Sequence, residues 1–129
     1  MTKQTCYLYL KDKDTGEYIE YAYYRKFNAL QGYFVEHFNI NNPGTVEITE
    51  AVINDLYLKL NEIRFQPEKA NLLLPTYPGP FFGRVEYDRM YHSYIHQAAN
   101  DFYHAKFLDY QKYKLFYSSD WWICLSKLS

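Results

Sequence analysis

A chain of 129 residues, 48% hydrophobic and 22% charged, is long enough for one packed domain and too apolar for a disordered one. Its formal net charge is −1 and no long run of one sign occurs, so neither a basic nucleic-acid footprint nor the acidic surface of a DNA mimic is visible. No apolar run approaches the roughly 20 residues of a membrane span, and Met1-Thr2-Lys3-Gln4-Thr5 lacks the apolar stretch of a signal peptide.

Cys6 to Leu10 alternates Tyr with Leu and reads as a strand. Asp12 to Gly16 is turn chemistry, and Tyr18 to Tyr24 reads as the second strand of a hairpin with a loop longer than two residues. Helical spacing of Phe27, Leu30, Phe34 and Phe38 predicts a helix from about Arg25 to Phe38, closed by the loop Asn39 to Gly44. Thr45 to Ile48 suits a short strand. Thr49 is placed to cap a second helix whose buried face is Val52, Leu56, Leu60 and Ile63. Gln66 to Gly83 is a long connection punctuated by Pro and Gly. A third helix is expected from about Glu86 towards Asp109. A strand follows over Leu115 to Tyr117, which Trp121 to Leu125 either continues or follows with another. The expected architecture is therefore α+β: a small, mainly antiparallel sheet packed with about three helices, as a single domain over residues 1–129.

Composition adds two observations. Cys6 and Cys124 have neither metal nor redox spacing, so two free thiols in a reducing compartment are expected. The 16 Tyr, 9 Phe and 2 Trp suit a wet pocket or an interface, because tyrosine offers a ring and a hydroxyl together. An AT-rich genome produces the same excess.

Three places carry candidate chemistry. Arg25 and Lys26, set at the start of the first predicted helix, oppose its dipole unless an anion or the nearby Glu17 and Glu20 meets them. The stiff loop Pro75 to Gly83 holds Phe81 and Phe82, either as a stacking wall or as a plug in the core. On the third helix, Tyr87, Tyr91, Tyr94, Ile95, Ala98, Phe102 and Ala105 form the expected core stripe. His92, His96, Tyr103, Phe107 and Tyr110 lie opposite, as a partner or dimer interface unless other elements cover them. His92 and His96 stand at i, i+4, but no second ligand pair points to zinc, so no metal site is expected. No Gly-rich phosphate loop, nucleophile elbow or zincin motif occurs, so the chain does not read as an enzyme and implies no cofactor.

The same places carry a resemblance. Ala22-Tyr23-Tyr24-Arg25-Lys26-Phe27-Asn28-Ala29-Leu30 with Tyr33-Phe34-Val35 resembles the first signature of a family of small bacteriophage proteins. Leu73-Leu74-Pro75-Thr76, Gly79, Phe81-Phe82-Gly83, Glu86-Tyr87-Asp88 and Tyr91 resemble its second, and Phe116-Tyr117, Ser119 and Trp121 its third. Tyr24, Tyr33 and Met90 stand where the family tends to have Trp, and Pro80 where it has an aromatic. The resemblance implies a small phage protein, and together with the lack of enzyme motifs it leads to the expectation of an accessory protein in the host bacterial cytoplasm that counters immunity by binding. Its most specific form is sequestration of a nucleotide-type signal. Arg25 and Lys26 would hold phosphate, and Tyr24, Phe81, Phe82 or Tyr91 would stack on the base. Asn28, Thr76 and Asp88 would orient the ligand, with Tyr87 behind the loop. The rival is a protein–protein inhibitor of a host defence complex, such as an anti-CRISPR protein, acting through His92, His96, Tyr103 and Phe107. A phage structural or assembly component is a third reading. Direct nucleic-acid and membrane binding are not expected; a homodimer is compatible with the aromatic face.

Overall fold

The computed structural model describes residues 2–25, 27–40, 44–77 and 86–123. Among them the chain runs β1 (Thr2–Asp12), β2 (Tyr18–Tyr24), α1 (Asn28–Phe38), β3 (Gly44–Glu47), α2 (Glu50–Phe65), a single 3-10 turn (Pro67–Lys69), α3 (Ala70–Leu73), α4 (Arg89–Ala105) and β4 (Tyr113–Ile123). The four strands form one antiparallel sheet in the order β2-β1-β4-β3. The α+β architecture is as expected.

Alternation along the strands decides which face is covered. Cys6, Leu8 and Leu10 of β1, Ala22 and Tyr24 of β2, and Leu115 and Tyr117 of β4 point one way and are buried. Between β1 and β2 the register shifts at Leu8/Tyr9, so Ala22 faces Leu8 while Glu20 faces Tyr9. Tyr21 is left over at that bulge, and its hydroxyl donates to the Asp101 carbonyl of α4 at 2.6 Å. The Tyr24 hydroxyl donates to the Asp101 carboxylate, also at 2.6 Å. These two bonds fasten α4 to the covered face. Desolvation raises the Asp101 pKa, only partly countered by the hydrogen bonds from Tyr24 and Gln97.

α1 begins at Asn28, three residues later than its spacing predicted. Phe27 serves as N-cap without a side-chain bond, and Arg25 sits in an exposed bend before it. Its first seven residues, Asn28 to Phe34, are all buried, so α1 is the central helix of the core. Phe34 stacks on Tyr117 with centroids 4.0 Å apart. Phe38, expected on the same stripe, is exposed, because Asn39 already turns the chain into the left-handed region at φ 52. α2 follows its expected capping: Thr49 accepts from the Val52 amide, and Val52, Ile53, Leu56, Leu60 and Ile63 are buried. Each such aliphatic side chain contributes about 1.5–3 kcal/mol by leaving water.

α4 is shorter than expected at both ends. Asp88 accepts from the Tyr91 amide at 3.0 Å and so caps the helix, which places Glu86 and Tyr87 outside it. At the other end Lys106 closes it, and the Tyr110 hydroxyl bonds the Ala105 carbonyl at 2.5 Å. The two strand fragments expected near the C-terminus are one strand, β4, because β1 pairs with it continuously from Thr2↔Ile123 to Asp12↔Tyr113. The connection after α2 is not all loop; it contains the 3-10 turn and α3. Cys6 is a free, buried thiol, and Cys124 lies outside the described residues. No helix among the described residues is long and apolar enough to cross a membrane.

Candidate functional site

The residues marked by the first two signatures do meet. The Asn28 side-chain oxygen accepts from the Tyr77 amide at 3.2 Å. The Thr76 amide donates to the Tyr87 hydroxyl at 3.2 Å, and the Tyr91 hydroxyl donates to the Leu74 carbonyl at 2.6 Å. Leu74–Tyr77 is thus clamped between the start of α1 and the start of α4. Phe27 joins the two aromatically, stacked on Tyr94 at 5.2 Å and edge-on to Tyr91 at 6.4 Å.

This arrangement reassigns several expected ligand contacts. Tyr24 is fully buried with its hydroxyl on Asp101, so its ring is not available to stack on a base. Asn28 and Tyr91 are buried and hold the clamp, and Asp88 is a helix cap. Tyr87, expected in the core stripe, is exposed, since it precedes the helix. Arg25 is exposed in its bend. Lys26, Phe81 and Phe82 lie outside the described residues.

Beside the clamp is a cavity of about 640 Å³, lined by Gly32, Tyr33, His37, Lys59, Pro75 and Tyr77 among others. Gly32 allows Tyr77 to approach α1: a Cβ there would lie 2.8 Å from the Tyr77 Cβ. On the α1 wall the His37 ring stacks on Tyr33 at 4.1 Å. The Tyr33 hydroxyl donates to Asp55 at 2.8 Å, and Lys59 bonds the same carboxylate at 2.8 and 2.9 Å. Burial pushes the Asp55 pKa up, but the bonds from Lys59 and Tyr33 outweigh it and hold the carboxyl below its usual value. The wall therefore offers the Lys59–Asp55 ion pair, an imidazole and a stacked ring pair. His37, Lys59 and Asp55 were not expected as site residues from sequence, although two signals were present. Tyr33 and His37 share a helical face at i, i+4, as do Asp55 and Lys59.

The second candidate surface is the C-terminal end of α4. Tyr103 is 45% exposed and Phe107 71% exposed, with ring centroids 5.4 Å apart. Tyr57 of α2 extends the patch at 5.8 Å from Tyr103, and the Lys106 ammonium lies 4.2 Å over the Tyr57 ring. His96 is exposed and His92 half-buried, but they lie towards the helix start. At 1.5 Å of rise per residue, His92 stands roughly 16 Å along the axis from Tyr103. The expected interface thus divides into a histidine pair and an aromatic cluster. Tyr110, expected on this face, turns inward with its hydroxyl on Ala105. Among the described residues no group of three or more His, Cys, Asp or Glu gathers as a metal cluster would.

No family model matches the chain, and no curated protein or solved structure is significantly similar to it.

Proposed function

We propose that this chain counters bacterial immunity by binding rather than by catalysis, docking on a host defence protein through the aromatic end of α4. The role requires the host cytoplasm, and it rests on the resemblance to small phage proteins for its biological setting. The observation that supports the docking version is the exposure of Tyr103 and Phe107 on a face where a free monomer would ordinarily be polar. Aromatic rings with an adjacent cation are also the residue types that dominate interface energetics. The test is phage plating on a host with an active CRISPR or other defence system, with and without this chain. Protection is expected with the parent protein and lost with Tyr103→Ser/Phe107→Ser. A double variant that protects as well as the parent refutes the docking version.

A second reading is favoured by the cavity beside Leu74–Tyr77. A volume of about 640 Å³ with His37, Tyr33 and Lys59 on one wall suits a nucleotide-type ligand. The original phosphate and base contacts are redistributed: Lys59 and His37 take the polar end, and the Tyr33–His37 stack takes the ring. Thermal unfolding against mono-, di- and cyclic nucleotides tests it. A ligand at 100 times its Kd stabilises by about 2.7 kcal/mol. A shift abolished by His37→Ala supports this reading, and no shift across the panel removes it.

A further inference from the structure

In a half-covered antiparallel sheet the solvent face is ordinarily polar. Here it is not. The residues alternate with the buried set, so Tyr7, Tyr9, Tyr18, Tyr23 and Phe116 share the face turned from the helices. Tyr18 is 64% and Tyr23 43% exposed. Tyr9 and Phe116 are direct cross-strand partners, and their rings lie 15° from parallel with centroids 5.3 Å apart. Tyr18 stands edge-on to Tyr9 at 5.1 Å. Together with Tyr7, Glu20, Thr45 and Ser118, Tyr9 and Tyr18 border a shallow hollow of about 450 Å³. The hydroxyls of Thr45 and Ser118 are 3.2 Å apart at its edge.

The next outward row of the β1–β4 ladder is Lys11 directly opposite Lys114. Two cations in one row of the ladder make a local positive spot on this face. The Lys11 ammonium also sits 5.6 Å over the Tyr18 ring, which ties the cationic row to the aromatic one. Glu20 and Glu47 flank the Tyr9–Phe116 pair on the outer strands and confine anion binding to the lysine row. Flat rings beside a paired cation are complementary to a planar base with a phosphate one step away, and not to an aliphatic partner surface.

We propose that this open face binds single-stranded nucleic acid, with a base against the open side of the Tyr9–Phe116 stack and neighbouring phosphates at Lys11 and Lys114. The whole-chain charge averages this local pairing away. The site is independent of the α4 patch and of the cavity beside Leu74–Tyr77.

The test is fluorescence anisotropy of 12-nucleotide oligo(U) and oligo(dT) at several salt concentrations. The expected plot of log affinity against log salt has a slope of about −1.4, two phosphates at about −0.7 each on single strands. Lys11→Gln/Lys114→Gln is expected to flatten the slope. Arg64→Gln/Lys69→Gln, the same charge change at the end of α2 and in the 3-10 turn, is expected to leave it unchanged. Tyr9→Val is expected to weaken binding about five- to hundredfold, the range for one lost base stack. Preference between the two oligonucleotides identifies RNA or DNA as the ligand. No binding of either at low salt, or equal loss in the two charge variants, overturns the proposal and leaves the face to a protein partner. Each variant is read alongside its unfolding midpoint; if Tyr9→Val is destabilised, the lysine pair alone decides.

Discussion

The buried hydrogen bond between Tyr117 and Gln31 gives the sharpest test of how the core is built. The Tyr117 hydroxyl donates to the Gln31 side-chain oxygen at 2.5 Å, and both residues are buried. Tyr117→Phe keeps the ring and its 4.0 Å stack on Phe34, so the packing contribution is nearly unchanged. What is lost is one partner of a buried pair, which strands the Gln31 oxygen. An orphaned buried acceptor costs about 1–3 kcal/mol. For a domain of this length each kcal/mol moves the midpoint by roughly 3–5 °C, so a fall on the order of 3–15 °C is expected. Gln31→Leu/Tyr117→Phe removes both partners and should lose less than the sum of the single changes. Differential scanning calorimetry on the four proteins reads this directly. A Tyr117→Phe midpoint within about 1 °C of the parent, or strict additivity in the cycle, would refute the reasoning.

Gly32→Ala should loosen the clamp, since its Cβ would sit 2.8 Å from the Tyr77 Cβ. Faster hydrogen exchange of the Tyr77 amide, with α4 unaffected, is the expected reading; unchanged exchange would count against the close approach. Asp55 and Asp101 should show opposite pH dependences. The lowered Asp55 pKa contributes stability above the usual carboxyl range and loses it as pH falls through the folded value. The raised Asp101 pKa acts in reverse, so its contribution declines as pH rises from the usual value through the folded one. Urea unfolding of Asp55→Asn and Asp101→Asn at pH 3 and pH 7 should therefore give stability differences from the parent that move in opposite directions. The Asp55 effect should stay under about 1 kcal/mol, because the pair is partly exposed; differences constant with pH would contradict both signs. Burial pushes the Cys6 thiol up to about 12, so iodoacetamide at pH 8 should modify it only after denaturation, as peptide mass mapping would show.

Much of the fold was legible because its signals are local. Thr49 is a good cap, and Val52, Leu56, Leu60 and Ile63 keep helical spacing, so α2 matched its expectation within a residue. Alternation at Cys6–Leu10 fixed β1, and only its length was underestimated. The misplaced starts of α1 and α4 have one cause: aromatic residues continue the helical period upstream, while the backbone obeys the cap. Phe27 and Tyr87 belong to the stripe by spacing but lie outside the helices. The candidate site was partly legible. The signature residues converge, but Tyr24, Asn28 and Tyr91 spend their polar groups on Asp101, Tyr77 and Leu74, partners 77, 49 and 17 residues away. No local pattern announces such pairings. The outward tyrosines of the sheet were hidden for a related reason. Tyr on both faces of β2 looks like composition until the register separates one set from the other.

The sheet order has a kinetic consequence. Its central ladder joins the first described strand to the last, with Leu8 opposite Tyr117. During synthesis β1 can pair with β2 once both have emerged, yet its other edge waits until β4 leaves the ribosome. At about 5–20 residues per second that interval is several seconds or more. The nascent chain meanwhile carries an open, tyrosine-rich strand edge, the kind of surface that pairs with neighbouring chains. Closing so long a loop is also slow relative to local pairing. The sheet of this domain is therefore expected to close only once β4 is available, and the chain to be most vulnerable to aggregation just before that strand docks.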